Sequence, residues 1–194
     1  MTLENESPAP KSPHRKNVED FILSVGGAAV AHPGGDLASH LRRVADKLQN
    51  WGVRREIVDA GHLHAAYGTD GFGYAVMGAD ARPELVDLVG AEAEALISLY
   101  CRCDRDASYP SWTTATPIVV DRCTGETVAI SEVQREALIC VTVANEIDVL
   151  SHDPKLLRRH GSVLIKLFGH WRPWLSPTAL KELDQWILWC RTAL

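Results

Sequence analysis

The sequence predicts a mostly α-helical protein, a helical bundle with one small inserted β-hairpin. Three observations carry that prediction. Apolar residues recur at steps of three and four through several long stretches. Ser, Asp, Pro and Gly punctuate those stretches where helices start and stop. Only residues 118–120 and 127–130 have β-type composition, and they are joined through Thr124-Gly125.

Composition sets the outer bounds. At 194 residues the chain is long enough to bury a core as one domain. With 46% hydrophobic and 23% charged residues it reads as globular. A net charge of −5 argues against a broad phosphate-binding face, so nucleic acid is not an expected partner. No run approaches the roughly 20 apolar residues of a membrane helix. Residues 1–17 are polar, carry Pro8, Pro10 and Pro13, and are expected to be a disordered tail. They contain no apolar stretch of the secretory kind, so cytoplasm is the expected compartment and the five cysteines are expected as reduced thiols. A zinc site on Cys101, Cys103 and Cys123 is the minor alternative to buried thiols.

Residues 18–194 are expected to form a single helical domain. Val18, Phe21, Ile22 and Val25 start it at helical spacing, and Gly26-Gly27 ends that helix. His32-Pro-Gly-Gly-Asp36 is a turn offering Asp36 as an N-cap. In 37–51, Leu37, Leu41, Val44 and Leu48 make one stripe with His40 beside it, and Gly52 stops the helix. In 54–67 the stripe is Ile57, Ala60, His64 and Tyr67. His62 falls nearer an edge, the small pair Ala60-Gly61 admits a close neighbour, and Gly68 with Thr69-Asp-Gly71 makes the exit turn.

Pro83 opens a helix expected to run to about residue 100. Residues 101–115 read as irregular. After the hairpin, Ser131-x-x-Gln134 is a capping box opening a helix to about 150, with Asp148 in line with Ala137, Val141 and Ala144. A short helix follows Pro154. Ser176-Pro177 starts the last helix, with Leu180, Leu183, Ile187 and Leu188 inside. Four of the six tryptophans, Trp171, Trp174, Trp186 and Trp189, fall near the end and are expected as a clamp over the core.

Three helices thus each carry one ligand-type residue on or beside the inward stripe: His40, His64 and Asp148. Two imidazoles and a carboxylate suit Fe, Mn or Zn, and facing helices can bring them together. They are the expected ligands of a divalent metal. Tyr67, Thr69 and Asn145 are expected, with His64, to orient a substrate or exchange protons with it, and Arg43 and Arg105 to bind it. His32, Glu146 and His152 are further groups that could join the site. Phosphate loops, nucleophile elbows and H-E-x-x-H are all missing from the sequence.

A His on one helix, a second His twenty-four residues on at the end of an apolar helix, and a distant Asp resemble the layout of the HD-domain superfamily. That resemblance implies an HD-like helical bundle and a metal-dependent enzyme acting on a small metabolite, as a phosphohydrolase or, in a smaller branch, a di-iron oxygenase. His40 would match the first histidine, His64 that of the paired His-Asp, and Asp148 the last aspartate. Ala65 stands where the superfamily has the paired aspartate. The segments AGHLHAAYGTDGF, CDRD, DRCTGE and ANEID also look like a bacterial family of HD-like proteins over most of 30–150. Two other readings stay open: a metal-free enzyme using His64, Tyr67 and Thr69, and a fold that binds a ligand or partner without catalysis. The oligomeric state is open, a homodimer included.

Overall fold

The structure, a computed structural model, describes residues 12–193. Its architecture is mostly α, with nine α-helices and two small antiparallel hairpins among the described residues. The buried apolar side chains make one cluster. Among the described residues no helix is long and apolar enough to cross a membrane.

Helix α1 spans Pro13–Ser24. It begins five residues before the expected start, so 13–17 are helical rather than tail, while 1–11 lie outside the described residues. Ser12 accepts from the Arg15 amide and Pro13 fills the first turn. The buried Arg15 side chain then ties this turn to Gln49 and Asp46 of the next helix. Strands β1 (Ala31–His32) and β2 (Gly35–Asp36) pair Ala31 with Asp36. Asp36 caps α2, Leu37–Asn50, by accepting from the Ser39 amide at 2.8 Å.

Helix α3, Arg55–His62, stops five residues short of the expected end at 67. The His64 ring takes the Gly61 carbonyl at 2.7 Å, the acceptor that the Ala65 amide would need to continue an α-helix. The chain goes on in tighter turns, with Ala66 N bonded to Leu63 O and Gly68 N to Ala65 O. Gly61 also shows why a small residue was needed, since a Cβ there would stand 2.1 Å from Leu48 of α2.

The helix expected from Pro83 to about 100 is two, α4 (Arg82–Val89) and α5 (Ala91–Arg102). Gly90 between them has φ +89°, which an L side chain rarely adopts. The irregular stretch holds a short α6, Arg105–Ser108, capped by Asp104, and a 3₁₀ turn at Tyr109–Thr113. The hairpin has β3 (Ile118–Val120) and β4 (Thr127–Ala129) with Ile118 opposite Ala129.

Helix α7, Glu132–His152, has the expected capping box and is buried along most of its length. It packs on α2, α3, α5 and α8. Helix α8, Pro154–Trp171, is long rather than short, and α9 spans Pro177–Ala193. Trp171 and Trp186 are buried as expected of a clamp, and Trp112 stacks on Trp171. Leu188, expected inside, is exposed, as is Trp189.

The turn of the β3–β4 hairpin is held by the buried carboxylate of Asp121. It accepts from the amides of Cys123 (2.8 Å) and Thr124 (3.3 Å) and pairs with Arg102. Burial alone would raise its pKa. The two amides and Arg102 outweigh that and hold it below the usual carboxylate range. A lowered folded-state pKa stabilises above the unfolded value of about 4 and is lost as pH falls through the folded one. Asp121→Ala should therefore cost about 1–3 kcal/mol at pH 7, and the difference from wild type should close below about pH 4 in denaturant titrations.

Candidate functional site

Helix α2 contributes His40 and Arg43, the turn after α3 contributes His64, and α7 contributes Asn145 and Asp148. The structure brings all five together through contacts between elements that span 24 to 108 residues of sequence. His40 is fully buried, and its Nδ1–H donates to Asp148 at 2.7 Å. Its Nε2 lies 3.3 Å from His64 Nε2 and 3.1 Å from Asn145 Oδ1. His64 donates from Nδ1 to the Gly61 carbonyl, so its Nε2 is a lone-pair nitrogen. Burial, then the neighbouring His40, push His64 well below the usual imidazole range and keep that ring neutral. The Asn145 amide is turned by Glu146, which accepts from Nδ2 at 3.0 Å and leaves Oδ1 facing His40.

Asp148 does not complete the expected ligand set. Its Oδ2 accepts from His40 and from Arg43 Nη2 (2.9 Å), and its Oδ1 accepts from Arg43 Nε (2.8 Å). Both oxygens are occupied by protein donors behind His40. Burial would raise its pKa, but these two partners hold it well below the usual carboxylate range. Among the described residues no three His, Cys, Asp or Glu side chains gather as a metal-ligating group. That applies to His40, His64 and Asp148, and to the three cysteines, of which Cys101 and Cys103 are buried while Cys123 is exposed.

Arg43 is likewise not placed to bind a substrate. Besides Asp148 it donates to the carbonyls of Pro33 (3.1 Å) and Gly34 (3.3 Å). The fit is close at Gly34, where a Cβ would stand 2.6 Å from the His152 ring and 2.9 Å from Arg43 Nη2. His152 itself bonds the Asp148 carbonyl at 2.8 Å. Tyr67 also points elsewhere, its hydroxyl donating to buried Glu94 at 3.1 Å. Burial and that carboxylate push its pKa up, so the hydroxyl stays protonated and bound to Glu94.

A cavity of about 240 Å³ opens beside this cluster, with His64, Asn145 and the expected Thr69 and Arg105 in its wall. His32 folds back to stack on His40, with ring centroids 4.0 Å apart, and also lines the cavity. Burial, then His40, push its pKa down to about 4. Arg105 comes with partners attached: Glu146 at 2.8 Å on Nη1, the Tyr100 hydroxyl at 3.3 Å on Nη2, and Asp70 on its backbone amide. Glu146, one of the further groups expected near the site, also lines the cavity, as does Asp70, which the sequence placed only in the exit turn. His62 is buried rather than near an edge, in a hollow between α1 and α2 away from this cavity.

Residues 21–105 match the profile of a domain of unknown function, DUF6817. The match covers less than half of the chain and includes His40, His64 and Arg105, while Asn145 and Asp148 lie beyond it. No curated protein and no solved structure matches the chain.

Arg43 is the partner that lets Asp148 stay charged and buried. Arg43→Ala should lower stability by about 2–4 kcal/mol, the cost of stranding a buried carboxylate with half its partners. Asp148→Asn in the Arg43→Ala background should recover part of that loss in urea unfolding.

Proposed function

We propose that this protein is a metal-dependent enzyme acting on a small metabolite, with the ion held by His40 Nε2, His64 Nε2 and Asn145 Oδ1. The carrying observation is that His40 Nε2, buried just behind the cavity wall, faces two further atoms able to act as acceptors, His64 Nε2 and Asn145 Oδ1, whose residues line that wall. A proton or a cation must sit among them, because lone pairs repel when nothing positive lies between. The 3.3 Å between the imidazole nitrogens is within the roughly 3.0–3.4 Å spanned by two nitrogens that share an ion at about 2.1 Å. Each imidazole also has its other nitrogen pinned, by Asp148 and by the Gly61 carbonyl. Such outer bonds commonly orient histidine ligands. The resemblance to HD-domain enzymes supports the same reading, with Asn145 taking up a ligand role and Asp148 moved behind His40.

A divalent ion there would supply Lewis acidity, polarising a substrate oxygen or activating water or dioxygen. The chain's own groups do the rest. Thr69 and Asn145 line the cavity as polar residues. Arg105, Glu146 and Asp70 form a braced polar wall for orienting a substrate. His32, kept neutral by its low pKa, adds an uncharged face.

The second reading is a metal-free His64 site. It rests on the fact that one proton on His40 Nε2 would close the same network. His64 would then have both nitrogens occupied and would need to swing free to reach a substrate.

Elemental analysis separates the two, on protein purified without chelator or His tag and compared with His40→Ala/His64→Ala. Near-stoichiometric iron, manganese or zinc in the wild type, lost in the double variant, is expected. Iron would point to oxygenation, and manganese or zinc to hydrolysis. Asp148→Asn should weaken metal affinity about 10–100-fold without abolishing it. A wild type that is metal-free and takes up no added metal overturns the proposal.

A further inference from the structure

The segment that carries His64 also sends Tyr67 into a second cavity, of about 340 Å³, between α4, α5 and the turn of the β3–β4 hairpin. Three guanidinium groups line it, from Arg82, Arg102 and Arg122. Each is anchored by one edge. Arg82 donates through Nε to buried Glu94 at 2.8 Å, and its Nη2 stands 2.8 Å from the same oxygen. Arg102 pairs through Nη2 with Asp121. Arg122 donates through Nε to the Cys101 carbonyl at 2.8 Å.

The anchoring leaves Nη1 of Arg82, Nη1 of Arg102 and both Nη atoms of Arg122, all on exposed side chains, with no hydrogen bond to the described residues. The charges do not balance either. Three cations face two carboxylates, Glu94 and Asp121, and Arg122 has no carboxylate partner among the described residues. A guanidinium with one edge fixed presents its other edge as a fork that fits carboxylate and phosphate oxygens, and fixing it beforehand removes part of the entropy cost of binding.

We propose that this second cavity is an anion site that takes the phosphate or carboxylate group of a small ligand, with Arg122 as its principal contact and Arg82 and Arg102 flanking it. The site is separate from the His40–His64 cluster and does not depend on the reading of that cluster.

Cys123 makes the site testable, because it lines this cavity and is exposed while the other four cysteines are buried. Inorganic phosphate and succinate are the probes, read by titration calorimetry and by the rate of Cys123 alkylation with iodoacetamide on the full chain. Saturable binding of one of them is expected, with slower Cys123 labelling at saturation. Whichever anion protects names the ligand class. Arg122→Gln should weaken binding about tenfold or more and remove the protection, with helical circular dichroism unchanged. Arg82→Gln should weaken it less. His40→Ala/His64→Ala should bind as the wild type does, which separates this site from the proposed metal. No saturable binding of either anion, binding without protection of Cys123, or unchanged affinity in Arg122→Gln would each overturn the proposal.

Discussion

The charge on Asp148 is the constraint around which the site is built. A carboxylate 1% exposed inside a helical bundle survives only with donors on its oxygens. Those donors come from one face of α2, where His40 and Arg43 are three residues apart. Their closure on Asp148 sets how α2 faces α7 and fixes the orientation of the His40 ring. Through the remaining donors of Arg43 it also holds the β1–β2 turn, which brings His32 onto the same imidazole. The first imidazole is therefore positioned from behind, which frees its other nitrogen to face His64 and Asn145.

The second imidazole is positioned by ending a helix. His64 captures the carbonyl that would have carried α3 onward, so the side chain that stops the helix is also the one presented to the cavity. The exit that follows, through Gly68 and Thr69 to Phe72, folds into the cavity wall rather than away from it. Cys101 adds a tie from α5 by donating to the His64 carbonyl at 3.1 Å. Local backbone termination and long-range pairing thus meet on adjacent imidazoles.

The helical class and the burial of His40 and Asp148 were legible in the sequence because they lie beside or on stripes whose period is set by the helix itself, whereas His64 is buried although the helix that its stripe implied has already ended. The α2 stripe, the capping box at Ser131 and the hairpin at 118–130 follow from local chemistry in the same way. Roles were less legible than places. Nothing near Arg43 in sequence shows that its partner is Asp148, 105 residues away. Asp148 could not be recognised as an outer brace rather than a ligand without that partner. Glu146 could be named as a group able to join the site, but only the fold shows that its partner there is Arg105, 41 residues away. The end of α3 was missed because apolar periodicity continues to Tyr67 while the hydrogen bonds do not. The break at Gly90 was missed because a single glycine inside a helical pattern signals a stop only when its φ is known.

Gly34 shows how far one atom can reach in this arrangement. It lies on the surface, in a two-residue turn outside the core. Yet a methyl group there would press on the His152 ring and on the Arg43 fork together, and both of those lead to the same aspartate. Position 34 is therefore a remote handle on the His40 imidazole. A side chain at position 34 would bear on both groups that lead to Asp148 from a loop outside the core, and room for it would have to be made on α2 or α7 rather than in the loop itself.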